Sequence, residues 1–265
     1  MRSFFEAISV SCVIPAQPQA GGERTVFENL SFAVERGAAD GQLIAVVCDG
    51  MGGENCGQIA SSLAVRAFLD ELHAVLRADM TTEQLREAVS FCVSKANAAV
   101  KRHAQEHTEC HGMGTTLVSA VTNGSGAVIC NVGDSRAYLI DRDGAMQITR
   151  DHSFVQYLVD IGKLTPEEAR KSSKKNIITR AVGVDREVSV DVSVIEKKQY
   201  ADKTLLLCSD GLSNYIDAPA LAPLRREHPD CADFVKTLID EANRAGGSDN
   251  ITAVAVELDK PEEEV

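Results

Sequence analysis

Thr116-Leu117-Val118-Ser119-Ala120-Val121-Thr122-Asn123-Gly124-Ser125-Gly126-Ala127-Val128-Ile129-Cys130-Asn131-Val132 is the stretch whose reading decides the fold. Two β-favouring runs, Thr116–Val121 and Ala127–Val132, flank Asn123-Gly124, a dipeptide that accepts the positive φ angles of a tight hairpin. The pattern repeats at once, with Arg136–Ile140 and Ala145–Ile148 on either side of Asp143-Gly144. From 115 to 149 the apolar period is therefore 2, and the reading is an antiparallel meander.

Working outward, Phe5–Ile14, Leu30–Val34 and Leu43–Cys48 read as strands before the meander; Val188–Ile195, Thr204–Cys208 and Ile251–Leu258 follow it. Helical spacing takes over from Gly57, where Ile59, Ala60, Leu63, Ala64, Ala67 and Phe68 share a face. A second helix starts at Thr81, whose hydroxyl and Gln84 make a capping box. Ser153–Ile161 reads as a helix, Thr165-Pro166-Glu167-Glu168 as the start of another, and Phe234–Ala245 as an amphipathic one. Hairpins with helices inserted between groups of strands predict an α+β layered sandwich, not a doubly wound parallel sheet.

The 265 residues suit a single domain, and 44% hydrophobic with 25% charged residues is an ordinary globular balance. The net charge of −12 has the wrong sign for nucleic acid or an anionic membrane, and suits metal cations better. The longest apolar runs, such as Leu43–Cys48, fall far short of the roughly 20 residues that span a bilayer. Glu6, Pro15 and Pro18 argue against a secretory signal. The eight cysteines contain no Cys-x-x-Cys pair, so neither a disulfide scaffold nor a zinc ribbon is expected, and a reducing, cytoplasmic compartment fits. His103, His107, Cys110 and His111 invite a zinc proposal, but read more simply as the polar end of a helix. Lys171–Lys175 reads as a solvated charge run, and 259–265 as an acidic tail.

Four aspartates sit beside apolar runs and small residues: Val47-Cys48-Asp49-Gly50, Gly133-Asp134-Ser135, Cys208-Ser209-Asp210-Gly211 and Ser248-Asp249-Asn250-Ile251. Carboxylates at strand ends are tolerated when solvent, hydrogen bonds or a cation offsets their charge, and a neighbouring glycine lets a backbone carbonyl approach an ion. Each taken alone reads more simply as a turn, so composition and spacing go no further than a candidate acidic metal site.

Six strings go further: Val47-Cys48-Asp49-Gly50-Met51-Gly52-Gly53, Gly112-Met113-Gly114-Thr115-Thr116, Gly133-Asp134-Ser135-Arg136-Ala137-Tyr138, Thr149-Arg150-Asp151-His152-Ser153, Leu207-Cys208-Ser209-Asp210-Gly211-Leu212 and Ser248-Asp249-Asn250-Ile251-Thr252. Their order resembles that of the metal-dependent protein phosphatases, the type 2C serine/threonine family, in a bacterial-like single-domain form spanning residues 1–265. The resemblance implies a four-layer αββα sandwich of two antiparallel sheets, with a flap segment at about 153–183. It implies two Mg²⁺ or Mn²⁺ ions and a third, looser one. Asp49 would bridge the pair and the Gly50 carbonyl would bind one of them. Asp210 and Asp249 would complete the other, Asp134 would serve the third, and Glu28 would be the remaining carboxylate. Arg24 would hold the substrate phosphoryl oxygens. In Arg24-Thr25-Val26-Phe27-Glu28-Asn29, Phe27 and Asn29 depart from the family pattern, which puts the second metal's site in question.

Two functions follow from the resemblance. One is a phosphatase acting on phosphoserine and phosphothreonine, with a cognate kinase or its substrates as protein partners and the chain working as a monomer. The other is a phosphatase-like regulatory or binding protein with weak or no catalysis.

Overall fold

The structure, a computed structural model, describes residues 8–13, 30–36, 42–53, 55–123 and 126–258, the first two segments by their backbone. β1 (Ile8–Val13), β2 (Leu30–Arg36) and β3 (Gln42–Met51) lead into α1 (Cys56–Val75) and α2 (Thr82–Glu106). β4 (Gly114–Thr115), β5 (Leu117–Asn123), β6 (Gly126–Val132), β7 (Arg136–Ile140) and β8 (Ala145–Gln147) follow. After α3 (Phe154–Asp160) and α4 (Pro166–Lys171) come β9 (Asp191–Glu196), α5 (Lys197–Tyr200) and β10 (Thr204–Cys208). The described chain closes with α6 (Asp210–Ser213), α7 (Ala218–Glu227), α8 (Cys231–Arg244) and β11 (Ile251–Glu257).

All named strand pairs are antiparallel, and they build two sheets: β1-β11-β10-β7-β8, and β2-β3-β5-β6-β9 with β4 alongside β3. Period-2 alternation in strands buried on both faces sets the layers. In β3, Leu43, Ala45 and Val47 point between the sheets, while Ile44, Val46 and Cys48 pack against α1 and α2. In β10, Leu205 and Leu207 face the inter-sheet core, whereas Leu206 and Cys208 meet Leu238 and Phe234 of α8. The order helices, sheet, sheet, helices is the expected αββα sandwich.

Three expectations change. The predicted meander is two hairpins in different sheets, because β6 pairs with β9 and β7 with β10. The chain crosses at Gly133, whose φ of +107° turns it out of one sheet and into the other. α7 was not expected, since Pro219 and Pro223 disguise it; Pro219 occupies the first turn, where its missing N–H costs no intrahelical bond. The cysteines are not all free: Cys56 and Cys110 form a disulfide, which also removes Cys110 from any zinc site, while Cys48, Cys92, Cys130, Cys208 and Cys231 are buried free thiols. Two cysteines distant in sequence give no local signal that they will meet.

The capping boxes are formed as read: Gln84 N–H donates to Thr81 Oγ1 at 3.2 Å and Thr81 N–H to Gln84 Oε1 at 2.9 Å, with the same exchange between Thr165 and Glu168 at α4. Ser153 caps α3, and its strand-like bridge to Ile178 ties both ends of the 153–183 segment together. Among the described residues no helix is long and apolar enough to cross a membrane.

Candidate metal centre

Asp49 ends β3, and its backbone is held from both sides. Its N–H donates to Thr116 Oγ1 at 2.9 Å; its carbonyl accepts from Thr116 N–H at 2.8 Å and from the Thr115 hydroxyl at 2.9 Å. Thr116 Oγ1 also meets Ser135 Oγ at 2.7 Å, which brings the turn carrying Asp134 against the same strand end. Gly133 makes that approach possible, since a Cβ there would stand 2.6 Å from Thr116 Cγ2.

The other sheet supplies Asp210, the first residue of α6 after β10, and Asp249 just before β11. Ser209 couples them: its hydroxyl donates to the Asn250 carbonyl at 3.2 Å and accepts from Thr252 N–H at 3.0 Å. Gly211 lets the two turns close, for a Cβ would lie 2.1 Å from the Asn250 carbonyl oxygen. Asn214 Nδ2 donates to Asp210 Oδ2 at 3.1 Å, and the Tyr215 hydroxyl meets Ser248 Oγ at 2.7 Å, steadying the Asp249 turn.

Four aspartates from two sheets thus share one end of the sandwich, and their electrostatics show it. Burial raises Asp49 well above the carboxylate range, and the charges of Asp210, Asp249 and Asp134 raise it further, with a hydrogen bond to the Asp210 carboxyl. Burial, then the charges of Asp210 and Asp151, pushes Asp134 up to about 8. Burial and the charge of Asp249 push Asp210 up to about 6, against the pull of Asn214 and Lys175. Two carboxyls in hydrogen-bond contact need a proton or a cation between them. The donor set is all oxygen, which fits hard ions such as Mg²⁺ or Mn²⁺. Among the described residues no three His, Cys, Asp or Glu side chains form a closed set of ligands about one point. The fit of the site to an ion therefore rests on the chemistry of its oxygen donors and on the Asp49–Asp210 contact.

A cavity of about 220 Å³ opens beside Asp134 and Asp210, walled on its far side by Val155, Ala169 and Lys175 of the 153–183 segment. Arg136 lines it but is committed to Asp151, with Nε at 2.9 Å from Oδ1 and Nη2 at 2.6 Å from Oδ2. Lys175 is therefore not simply part of a solvated run: half-buried, it presents a positive charge to Asp210. His152 stands behind the wall. Its Nδ1 accepts from Gly133 N–H at 3.0 Å, so Nε2 carries the proton and donates to Asp191 Oδ2 at 3.0 Å, while Arg180 binds Asp191 Oδ1 at 2.6 Å.

The structure therefore brings together Asp49, Asp134, Asp210 and Asp249, with Gly50 paired to Thr115 beside them. Arg24 and Glu28 lie outside the described residues, as do Phe27 and Asn29. Sequence reasoning missed the roles of Ser135, Ser209 and Asn214, which orient the carboxylates; Ser135 and Ser209 find partners 19 and 41 positions away, and Asn214 meets Asp210 only because a short helical turn follows β10.

An αββα sandwich whose two sheets bring four aspartates to one end defines the class of protein. The sequence matches the family model of protein phosphatase 2C over residues 32–254, and the chain belongs to that family. It is 38% identical to the serine/threonine phosphatase stp of Listeria innocua over 218 residues, 82% of this chain and 85% of that protein. The crystal structure of the serine/threonine phosphatase Stp1 from Staphylococcus aureus superposes with a TM-score of 0.84 at 30% identity, covering 98% of each chain. The catalytic domain of serine/threonine protein phosphatase PstP in complex with two manganese ions gives 0.74 at 29% identity, over 96% of this chain and 98% of that one.

Proposed function

We propose that this chain hydrolyses phosphoserine and phosphothreonine esters in proteins at the acidic end of its sandwich. The observation that carries the reading is the Asp49–Asp210 contact inside a cluster of four aspartates drawn from both sheets. The regulatory alternative rests on Phe27 and Asn29, which lie outside the described residues; the presence of all four aspartates in the sequence supports the enzyme. Asp49, Asp210, Asp249 and the Gly50 carbonyl would hold two Mg²⁺ or Mn²⁺ ions, with Asp49 shared between them. Asp134 and Asp210 would share a third. When bound, such ions supply a water of lowered pKa and offset charge on the phosphoryl oxygens.

The chain's own residues do the rest. Thr115 and Thr116 hold the Asp49 backbone from two sides, so its carboxylate needs little reorganisation to accept charge. Ser209 and Asn214 fix the Asp210 turn. The cavity beside them offers room for the substrate residue next to the phosphoester, with Lys175 supplying a positive wall. Arg24 would grip the phosphoryl oxygens, and Glu28 would add a carboxylate. Support for that placement comes from β2, whose first residue, Leu30, pairs with Asp49. We read residues 1–265 as one phosphatase domain with 153–183 as its flap, acting as a cytoplasmic monomer on the products of a serine/threonine kinase.

The test is Mn²⁺-dependent phosphate release from a phosphothreonine peptide by wild type and Asp210→Asn. The variant loses about a hundredfold or more in rate, the scale expected when one ion's charge stabilisation goes. No release by the wild type with several peptides and metals overturns the reading.

A further inference from the structure

We propose that Cys56 and Cys110 are a reversible thiol–disulfide modification site that sets the metal affinity of the centre; the inference rests on the reading of Asp49 and Gly50 as ligands. Cys56 opens α1, a few glycine-rich residues after Asp49-Gly50, and Cys110 ends the 3-10 turn (Thr108–Cys110) that precedes β4. At the other end of the same loops, β3 and β4 pair Gly50 with Thr115 and Met51 with Gly114. The disulfide and this two-step ladder thus close a small ring, and the residues proposed to hold the ions sit on it.

The ring is close-packed where its two arms meet, at Gly52 and Gly114. Gly52, at φ +127°, lies against Met113 so closely that a Cβ would be 2.9 Å from Met113 Cα. Thr115 ties the ring to both neighbours, its hydroxyl donating to the Asp49 carbonyl and its backbone exchanging hydrogen bonds of 3.0 and 2.8 Å with Val182 at the end of the 153–183 segment. With the bond made, the strand end bearing Asp49 is ordered before any ion arrives. With it broken, the ion must also order the loops, which weakens its binding.

The disulfide lies one layer beneath the surface: Cys56 is 7% and Cys110 3% exposed, under the exposed residues Gly52, Gly53, Asn55 and His107–Glu109. A small local opening admits a dithiol. The described free cysteines are buried within strands and helices and offer no competing route. Reduction is a two-step exchange: a dithiol thiolate attacks one sulfur and the S–S bond breaks. In the mixed disulfide so formed, the second dithiol sulfur bonds to the first and expels the cysteine thiolate; the dithiol leaves as a cyclic disulfide, and Cys56 and Cys110 have gained two electrons and two protons as thiols.

The experiment uses the full chain in two states, oxidised with oxidised glutathione, or reduced with a dithiol and desalted without oxygen. Alkylation and intact mass count the free thiols in each. Mn²⁺ is titrated against both by calorimetry, and phosphopeptide hydrolysis is followed across the same range. The oxidised protein takes up Mn²⁺ at a concentration about tenfold lower than the reduced one, a preorganisation effect. Cys56→Ser/Cys110→Ser matches the reduced form and ignores the dithiol, while the wild-type comparison stands even if that variant folds poorly. A merely structural bond would change melting temperature and leave the Mn²⁺ midpoint unmoved. Midpoints within twofold of each other, or a pair that stays as thiols after oxidation, overturn the inference. Mn²⁺ binding in neither state overturns the metal-centre reading and this inference together; shifted midpoints without hydrolysis support the site and overturn only the proposed activity.

Discussion

At Gly211 a single added methyl would meet the Asn250 carbonyl oxygen at 2.1 Å, and backbone on both sides leaves little room to yield. Gly211→Ala should cost about 1–3 kcal/mol, the range for overpacking a tight contact. A melting temperature lower by several degrees than that of Gly144→Ala, whose Cβ would meet nothing within 4 Å, checks this. His152 bears on acid stability. Desolvation lowers its pKa below the usual 6.5, while Asp191 pulls the other way and Arg180 adds to the lowering. Protonating Nδ1 would also set two donors, it and Gly133 N–H, against each other. Below about 6.5 the unfolded chain binds a proton that the folded one refuses, so stability is complete above that pH and falls as pH drops toward the folded value. Urea unfolding between pH 5 and 7.5 should show this limb in wild type and a flatter one in His152→Gln.

Among the elements, α2 depends most plainly on its start. Thr81→Ala removes the acceptor for Gln84 N–H and should cost about 1 kcal/mol, read as a shifted urea midpoint with an unchanged slope. This cap was legible because a capping box is local, as were the hairpin turns and the period-2 strands. The turn at Asp143-Gly144 was legible too, although its anchor is the Asp141 side chain, accepting from both N–H groups at 2.9 and 3.0 Å. What stayed hidden was non-local: which sheet each hairpin joins, the partner of Cys56, and α7, whose prolines mimic a loop. The four aspartates could be named from motifs, but their convergence depends on Thr116–Ser135 and Ser209–Asn250, contacts made only once the sheets pack.

For the whole molecule, metal and protons compete. Asp210 at about 6 and Asp134 at about 8, both raised chiefly by burial, are neutral in the folded chain at pH values where unfolded aspartates are ionised. In the metal-free protein the stability they carry is complete below about pH 4 and is lost as pH rises through 6 and then 8. A bound cation removes that loss by taking the protons' place. Mn²⁺ binding should therefore release protons and tighten as pH rises from 6 to 8, with calorimetric heats that differ between buffers of different ionisation enthalpy. Equal heats in all buffers would contradict the shared-proton picture.

The placement of β11 between β1 and β10 has a consequence for the order in which the molecule comes into being. During synthesis this interior strand, second of five in its sheet, is the last described one to leave the ribosome, and Asp249 emerges just ahead of it. Until then β1 and β10 have no common partner, and non-local pairing of this kind is slow to form. A nascent chain therefore lacks its completed acidic centre until β11 has emerged and paired with β1 and β10.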